Sequence, residues 1–174
     1  DTNPLAHRLI DHFGSFCRVM EATPQELMQV KGVGPRSAQL ISDIMEFGRY
    51  YAVKKRKKQA TLDTTANAIE YIKPLFLGLQ NEVLYIILMD ESCHPPYDLK
   101  AAEGVPNHVS IDTRKLLRDV LRSNASTAIL AHNHPTGPAL PSATDQLTTL
   151  KIMQLLAPAG ISILDHIIVA GENA

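Results

Sequence analysis

Two imidazoles and a carboxylate fall within fourteen consecutive residues of this chain, His132-Asn133-His134-Pro135-Thr136-Gly137-Pro138-Ala139-Leu140-Pro141-Ser142-Ala143-Thr144-Asp145. The run before them, Thr127-Ala128-Ile129-Leu130-Ala131, is apolar with a β-branched start and reads as a buried strand. Carried into the histidines, its two-residue period turns His132 and His134 to one face and Asn133 to the other. The segment from Pro138 to Pro141 then breaks the strand and lets a helix begin, returning Asp145 in its first turn towards the histidines. Two neutral nitrogens and one carboxylate oxygen leave the fourth corner of a tetrahedral zinc open to water, the arrangement of a reactive site rather than a structural one. A His-x-His pair alone is weak evidence. Ser142 and Asp145 also match a helix-capping box, ahead of the apolar positions Leu147, Leu150 and Met153. The cap accounts for the serine and the aspartate but not for two histidines ending an apolar strand.

The elements that must position these groups follow an alternating pattern from residue 60 onwards. Thr64 caps a predicted helix through Ala68, Ile69, Ile72 and Leu75, and Glu82 to Asp90 reads as a strand buried on both faces. A short strand is predicted at Asn107-His108-Val109-Ser110-Ile111. A helix follows, with Asp112 or Thr113 at its cap and Leu116, Leu117, Val120 and Leu121 inside. After the histidine strand and the Ser142 helix, Ile161 to Ala170 closes with another strand. A mixed or antiparallel sheet with helices on both sides accommodates this order.

The first part of the chain reads as short helices. Pro4 opens one that contains Leu5, Leu9 and Ile10 and ends near Gly14. Thr23-Pro24 is an N-cap followed by proline, ahead of Leu27, Met28 and Val30. Lys31-Gly32-Val33-Gly34-Pro35 is a tight turn into a helix with Ala38, Ile41, Met45 and Phe47 or Gly48 on its apolar face. Two helices joined by a Gly-hydrophobic-Gly turn resemble the helix-hairpin-helix. There the glycines let backbone N–H groups approach a DNA phosphate, in contacts blind to base sequence and sensitive to salt. The same turn is equally a way of packing two helices.

Charge divides the chain at the same place. Residues 1–60 hold ten Lys/Arg against six Asp/Glu, and residues 61–174 hold seven against twelve. The basic excess lies largely in Lys54-Lys55-Arg56-Lys57-Lys58, read as a linker. The expected organisation is a helical domain over 1–53, a basic linker over 54–60 and a metal-dependent domain over 61–174. No apolar run reaches membrane-spanning length, and no leader or cleavage site is visible at the start. Cys17 and Cys93 lack paired spacing, so a reducing cytoplasm is expected and a cysteine-based zinc site is not. His7, His12, His94 and His108 have no partners at ligand spacing.

His-x-His-Pro, with Ser eight and Asp eleven residues after the second histidine, resembles the signature of the JAMM (MPN-type) metalloproteases. The fuller run Ala131 to Gly137 with Pro141 to Asp145 is similar to the RadC branch of that family. Asn124-Ala125, Leu164-Asp165-His166-Ile167-Ile168 and Lys31 to Pro35 also sit where RadC proteins carry similar runs. Pro138-Ala139 stands where many RadC proteins have an acidic residue. Relatives also usually carry a further helical segment before this start and a short tail beyond Ala174. The resemblance implies a curved mixed or antiparallel sheet flanked by helices, JAMM/MPN-like with a cytidine-deaminase-like layout, behind a small all-helical N-terminal domain. It implies zinc held by His132, His134 and Asp145, Glu82 as the base and Ser142 as an oxyanion donor; the sequence itself leaves Glu70 and Glu103 open as other candidates for the base. Asp165-His166 is a candidate outer partner of the site or a contact on the substrate side. The implied activity is hydrolysis of a peptide or other amide, linked to DNA repair. The alternatives are a DNA-binding, repair-associated module with a non-catalytic metal site, and a metal-dependent nuclease. Against the nuclease, only Asp145 is placed where two-metal sites cluster carboxylates.

Overall fold

The computed structural model describes residues 3–56, 60–95, 97–104 and 111–171. The chain forms two compact units, Asp1–Lys55 and Arg56–Ala174. The first is helical: α1 (Pro4–Phe13), α2 (Phe16–Glu21), α3 (Pro24–Leu27) and α4 (Pro35–Lys55). Capping side chains set the starts. Asn3 accepts from the Leu5 N–H, Ser15 from Arg18, and Thr23 exchanges hydrogen bonds with Glu26 in a reciprocal capping box. Leu9, Val19, Leu27, Val30, Val33 and Ala38 make this unit's core. Gly32 takes φ +98°, and a Cβ there would come within 3.0 Å of the Arg8 guanidinium, whose Nε holds the Lys31 carbonyl at 2.9 Å. The turn therefore needs glycine. Phe47, expected on the apolar face of α4, is 71% exposed. Lys54 and Lys55 form the last turn of α4, while Lys57 and Lys58 lie outside the described residues.

The second unit contains a four-stranded mixed sheet in the order β2-β1-β3-β4, with β1 at Glu82–Met89, β2 at Tyr97–Gly104, β3 at Thr127–Asn133 and β4 at Ser162–Val169. β1 runs antiparallel to both β2 and β3, and β3 runs parallel to β4. Among the described residues three helices accompany the sheet: α5 (Thr65–Ile72, continued by a 3-10 turn Lys73–Phe76), α6 (Thr113–Ser123) and α7 (Ala143–Leu156). One face of the central strands, Leu84, Ile86, Leu88, Ala128 and Leu130, packs with Leu116 and Val120 of α6 and Ile152 and Leu156 of α7. On the other side of the sheet, Phe76 meets Tyr85 edge to face at 5.5 Å. Arg56 ties the start of this unit to the edge strand: its guanidinium stacks 3.9 Å over Tyr71 and pairs with Asp98.

Several expectations need correction. Leu121 is 71% exposed, while Leu116 and Val120 are buried and Leu117 packs partly buried against the same core. Leu147, Leu150 and Met153 of α7 are exposed too, and Ile152 and Leu156 face the core instead. The strand expected at Asn107 to Ile111 lies outside the described residues except for Ile111, which is in no strand. α2 and β2 were not anticipated. Among the described residues, no helix is long and apolar enough to cross a membrane.

Ile86 is fully buried at the centre of the sheet. Ile86→Ala should therefore cost about 2–5 kcal/mol in urea unfolding, against about 0.5 kcal/mol or less for Leu121→Ala. Equal losses would contradict this account of the core.

Candidate metal centre

The site lies where β1 begins and β3 ends. β3 is buried almost throughout, and its alternation carries Ala128, Leu130 and His132 along the face that packs against the helices. His134 stays in line because its N–H donates to the Val169 carbonyl of β4 at 2.8 Å. Asp145 comes from the first turn of α7, held by the cap expected from the sequence. The Ser142 backbone N–H and hydroxyl donate to Asp145 Oδ2 at 2.7 and 2.6 Å, and the Asp145 N–H returns to the hydroxyl at 3.1 Å. Oδ2 is thus occupied, and Oδ1 is the freer ligand atom. Ser142 spends its hydroxyl proton on orienting Asp145.

The three side chains converge. His132 Nε2 lies 2.8 Å from His134 Nε2 and 3.3 Å from Asp145 Oδ1, and His134 Nε2 lies 3.4 Å from Asp145 Oδ2. The outward nitrogen of His134, Nδ1, lies 2.8 Å from the Pro138 carbonyl. A carbonyl can only accept, so His134 carries its proton on Nδ1 and turns a bare Nε2 inwards. That lone pair faces a second imidazole and a carboxylate, an arrangement that a cation relieves. A tetrahedral ion bound at about 2 Å keeps its ligand atoms about 3.3 Å apart, close to the spacings here. His132, His134 and Asp145 could therefore hold a metal ion.

Glu82 opens β1, half-buried. Leu84 pairs with His132, so the same antiparallel register carried two residues on sets Glu82 opposite His134 on the metal face. Burial raises its pKa; the neighbouring His134 works against this and Asp145 works with it. Glu70 and Glu103 are both exposed, and Glu103 is paired with Lys100. Neither belongs to this cluster.

Sequence reasoning gave no role to Asn133 and left that of His166 open. Asn133 is buried on the opposite face, where its Oδ1 accepts from the Val83 N–H at 2.8 Å and its Nδ2 donates to the Asn81 carbonyl at 3.0 Å. It fastens the backbone on either side of Glu82. A polar residue inside an apolar strand was the available signal. His166 reaches His132 because of a β-bulge: Ala128 pairs with Ile163 but Ile129 pairs with Asp165, so Leu164 is extra. Without that insertion His166 would face the other way.

A family pattern described as a RadC-like JAB domain matches residues 62–174. The chain belongs to the RadC-like JAB family. It is similar to a UPF0758 protein of Coprothermobacter proteolyticus, 32% identical over 173 residues, a match that takes in 97% of this chain and 73% of the relative. In this RadC-like domain the matched region contains the whole sheet and all three candidate ligands. A cavity of about 680 Å³ opens beside Asp145 and His166, walled by Ile69, Pro141, Leu150 and Ile167.

Burial lowers the His132 pKa from 6.5 to about 4, helped by His166 and His134 and opposed by Asp145. His166 is lowered mainly by burial as well. For Asp145, burial pushes upwards, but the Ser142 hydrogen bonds and the two histidines carry it below its ordinary value. Above pH 6.5 His132 is neutral folded or unfolded; below it the unfolded ring takes a proton that the folded ring refuses. Metal-free protein should therefore lose roughly 2–3 kcal/mol of stability as pH falls from 6.5 towards 4. Urea unfolding at stepped pH values measures this, and His132→Gln should flatten the dependence. A wild-type stability constant across that window would refute it.

Proposed function

We propose that this protein is a zinc-dependent hydrolase of amide bonds, of the metallopeptidase type, with His132, His134 and Asp145 as the metal ligands. The observation that carries the reading is the convergence of these three groups with Glu82 on the same face and a cavity alongside. Bound zinc supplies a Lewis acid and brings the pKa of a coordinated water towards ~7. The protein's own groups supply the rest. Glu82, its pKa raised by burial, is suited to take a proton from the attacking water and to return it to the departing amine. Asn133 keeps the Glu82 backbone in register with the histidines. Ser142 presents Asp145, and its hydroxyl can serve a developing oxyanion only by leaving Oδ2. The apolar walls of the cavity suit a peptide or other amide with an aliphatic side chain near the scissile bond.

Metal analysis should find about one zinc per wild-type chain and little in His134→Ala. Glu82→Gln should keep its zinc yet lose about 10²–10⁴-fold in turnover of peptide and isopeptide amides bearing a fluorogenic leaving group. A zinc-loaded Glu82→Gln with full turnover would remove Glu82 from the mechanism. A wild-type protein that takes up no metal would remove the mechanism itself.

A second activity, DNA binding linked to repair, is favoured by the glycine turn of the first unit. Lys31, Gly34 and Arg36 are exposed around it, and a Cβ at Gly34 would meet nothing within 4 Å. Gly34→Asp is thus compatible with the fold but sets an anion where a phosphate would approach. It should weaken duplex DNA binding and reduce the salt dependence. Unchanged affinity at both low and high salt would exclude this turn as the contact.

A further inference from the structure

His132 has a second set of contacts on the side turned away from the candidate metal position. Its Nδ1 lies 2.7 Å from His166 Nε2, His166 Nδ1 lies 2.6 Å from Thr149 Oγ1, and Thr149 Oγ1 lies 2.7 Å from the Asp145 backbone carbonyl. Counting protons fixes the direction of this chain. The carbonyl has none, so the Thr149 hydroxyl donates to it. The hydroxyl has only one, so its contact with His166 is made by the Nδ1–H of that ring. One proton lies between the two rings, and since His166 has its N–H at Nδ1 on Thr149, its Nε2 accepts from His132 Nδ1–H. His132 Nε2 is then bare as well, and it faces His134 and Asp145.

We propose that Thr149 and His166 are positioning residues that hold His132 in its Nδ1–H tautomer and so keep its Nε2 lone pair turned towards the metal. The inference rests on the zinc reading above and extends it to residues outside the ligand set. The chain starts at the main-chain oxygen of Asp145 and ends at the ring of His132, so one ligand residue dictates the proton position of another. Thr149 stands one helical turn after Asp145, the spacing that lets its hydroxyl reach that carbonyl. The bulge at Leu164 supplies the remaining requirement by turning His166 onto the same face.

Long-range proton–nitrogen correlation spectra of the ¹⁵N-labelled, metal-free protein near neutral pH read both tautomers directly. The expected result is a protonated Nδ1 and a bare Nε2 on His132 and on His166. The opposite tautomer on either ring overturns the proposal without any substitution. Thr149→Val removes the hydroxyl at nearly constant volume and should reduce zinc affinity about 10- to 100-fold in chelator competition, with the His132 tautomer becoming mixed. Thr149→Ser should restore both. Wild-type affinity and tautomer in Thr149→Val, or a Thr149→Ser protein as weak as the valine variant, overturns the assignment. Wild-type protein that holds no zinc but shows both expected tautomers supports the tautomer lock and overturns the zinc reading.

Discussion

Three electron-rich atoms held close together with too few protons to share among them are the constraint on which this structure turns. His134 donates its single N–H to the Pro138 carbonyl, and the bonds from Ser142 hold the Asp145 carboxyl below its ordinary pKa. Such a cluster is repulsive until a cation enters, so something stiff must hold it together beforehand. The stiff part is β3, paired on both sides and among the most deeply buried strands of the sheet. A surface loop bearing the same three residues would relax apart. The buried strand cannot move without breaking two ladders at once, so the cluster keeps its geometry without relying on a flexible loop.

Precision in this sheet comes in single-residue steps. A β-strand alternates strictly, so a slip of one residue sends each side chain to the opposite face. Both edge strands carry an irregularity, between the partners of Leu84 and Tyr85 on β2 and of Ala128 and Ile129 on β4. The central pair, β1 with β3, has none. The unbroken pair sets Leu84 against His132, and its register extended by two residues aligns Glu82 with His134, while the bulge on β4 brings in a group that regular pairing would have excluded. Adjustments sit at the edges, where they cost least, and the register of the central pair stays untouched.

The parts legible in the sequence were those whose local chemistry agrees with their surroundings. The β3 strand, the Ser142 cap and the start of α4 after Gly32-Val33-Gly34 each have a signature in a few adjacent residues. The parts that were not legible depend on distant partners. β2 reads Tyr97-Asp98-Leu99-Lys100-Ala101-Ala102-Glu103-Gly104, with no apolar alternation, because an edge strand half open to solvent needs little. On α6 and α7 the exposed leucines misled. Leu121, Leu147 and Leu150 continue an apolar stripe in the sequence, yet the sheet covers only the side occupied by Val120, Ile152 and Leu156. His166 could be singled out from the chain, but its partner is settled by the bulge, which no local pattern announces.

Asn133 shows why the spacing of the two histidines matters beyond directing both to one face. A residue between two ligands on a strand necessarily points the other way, into the layer opposite the metal. An apolar residue there would simply add to the core. Asparagine instead offers one acceptor and two donors, and both ends of its amide are used at the start of β1, at Val83 and at Asn81 just before it. Those two backbone groups flank Glu82. The three residues where β3 ends, His132 to His134, thus present two candidate ligands on one face and, from the other, hold the start of the strand that carries Glu82. Displacing β1 relative to β3 would break the buried Val83–Asn133 hydrogen bond, which is costlier than losing an exposed one. The backbone around Glu82 is therefore held next to the histidine strand by a side chain on the opposite face.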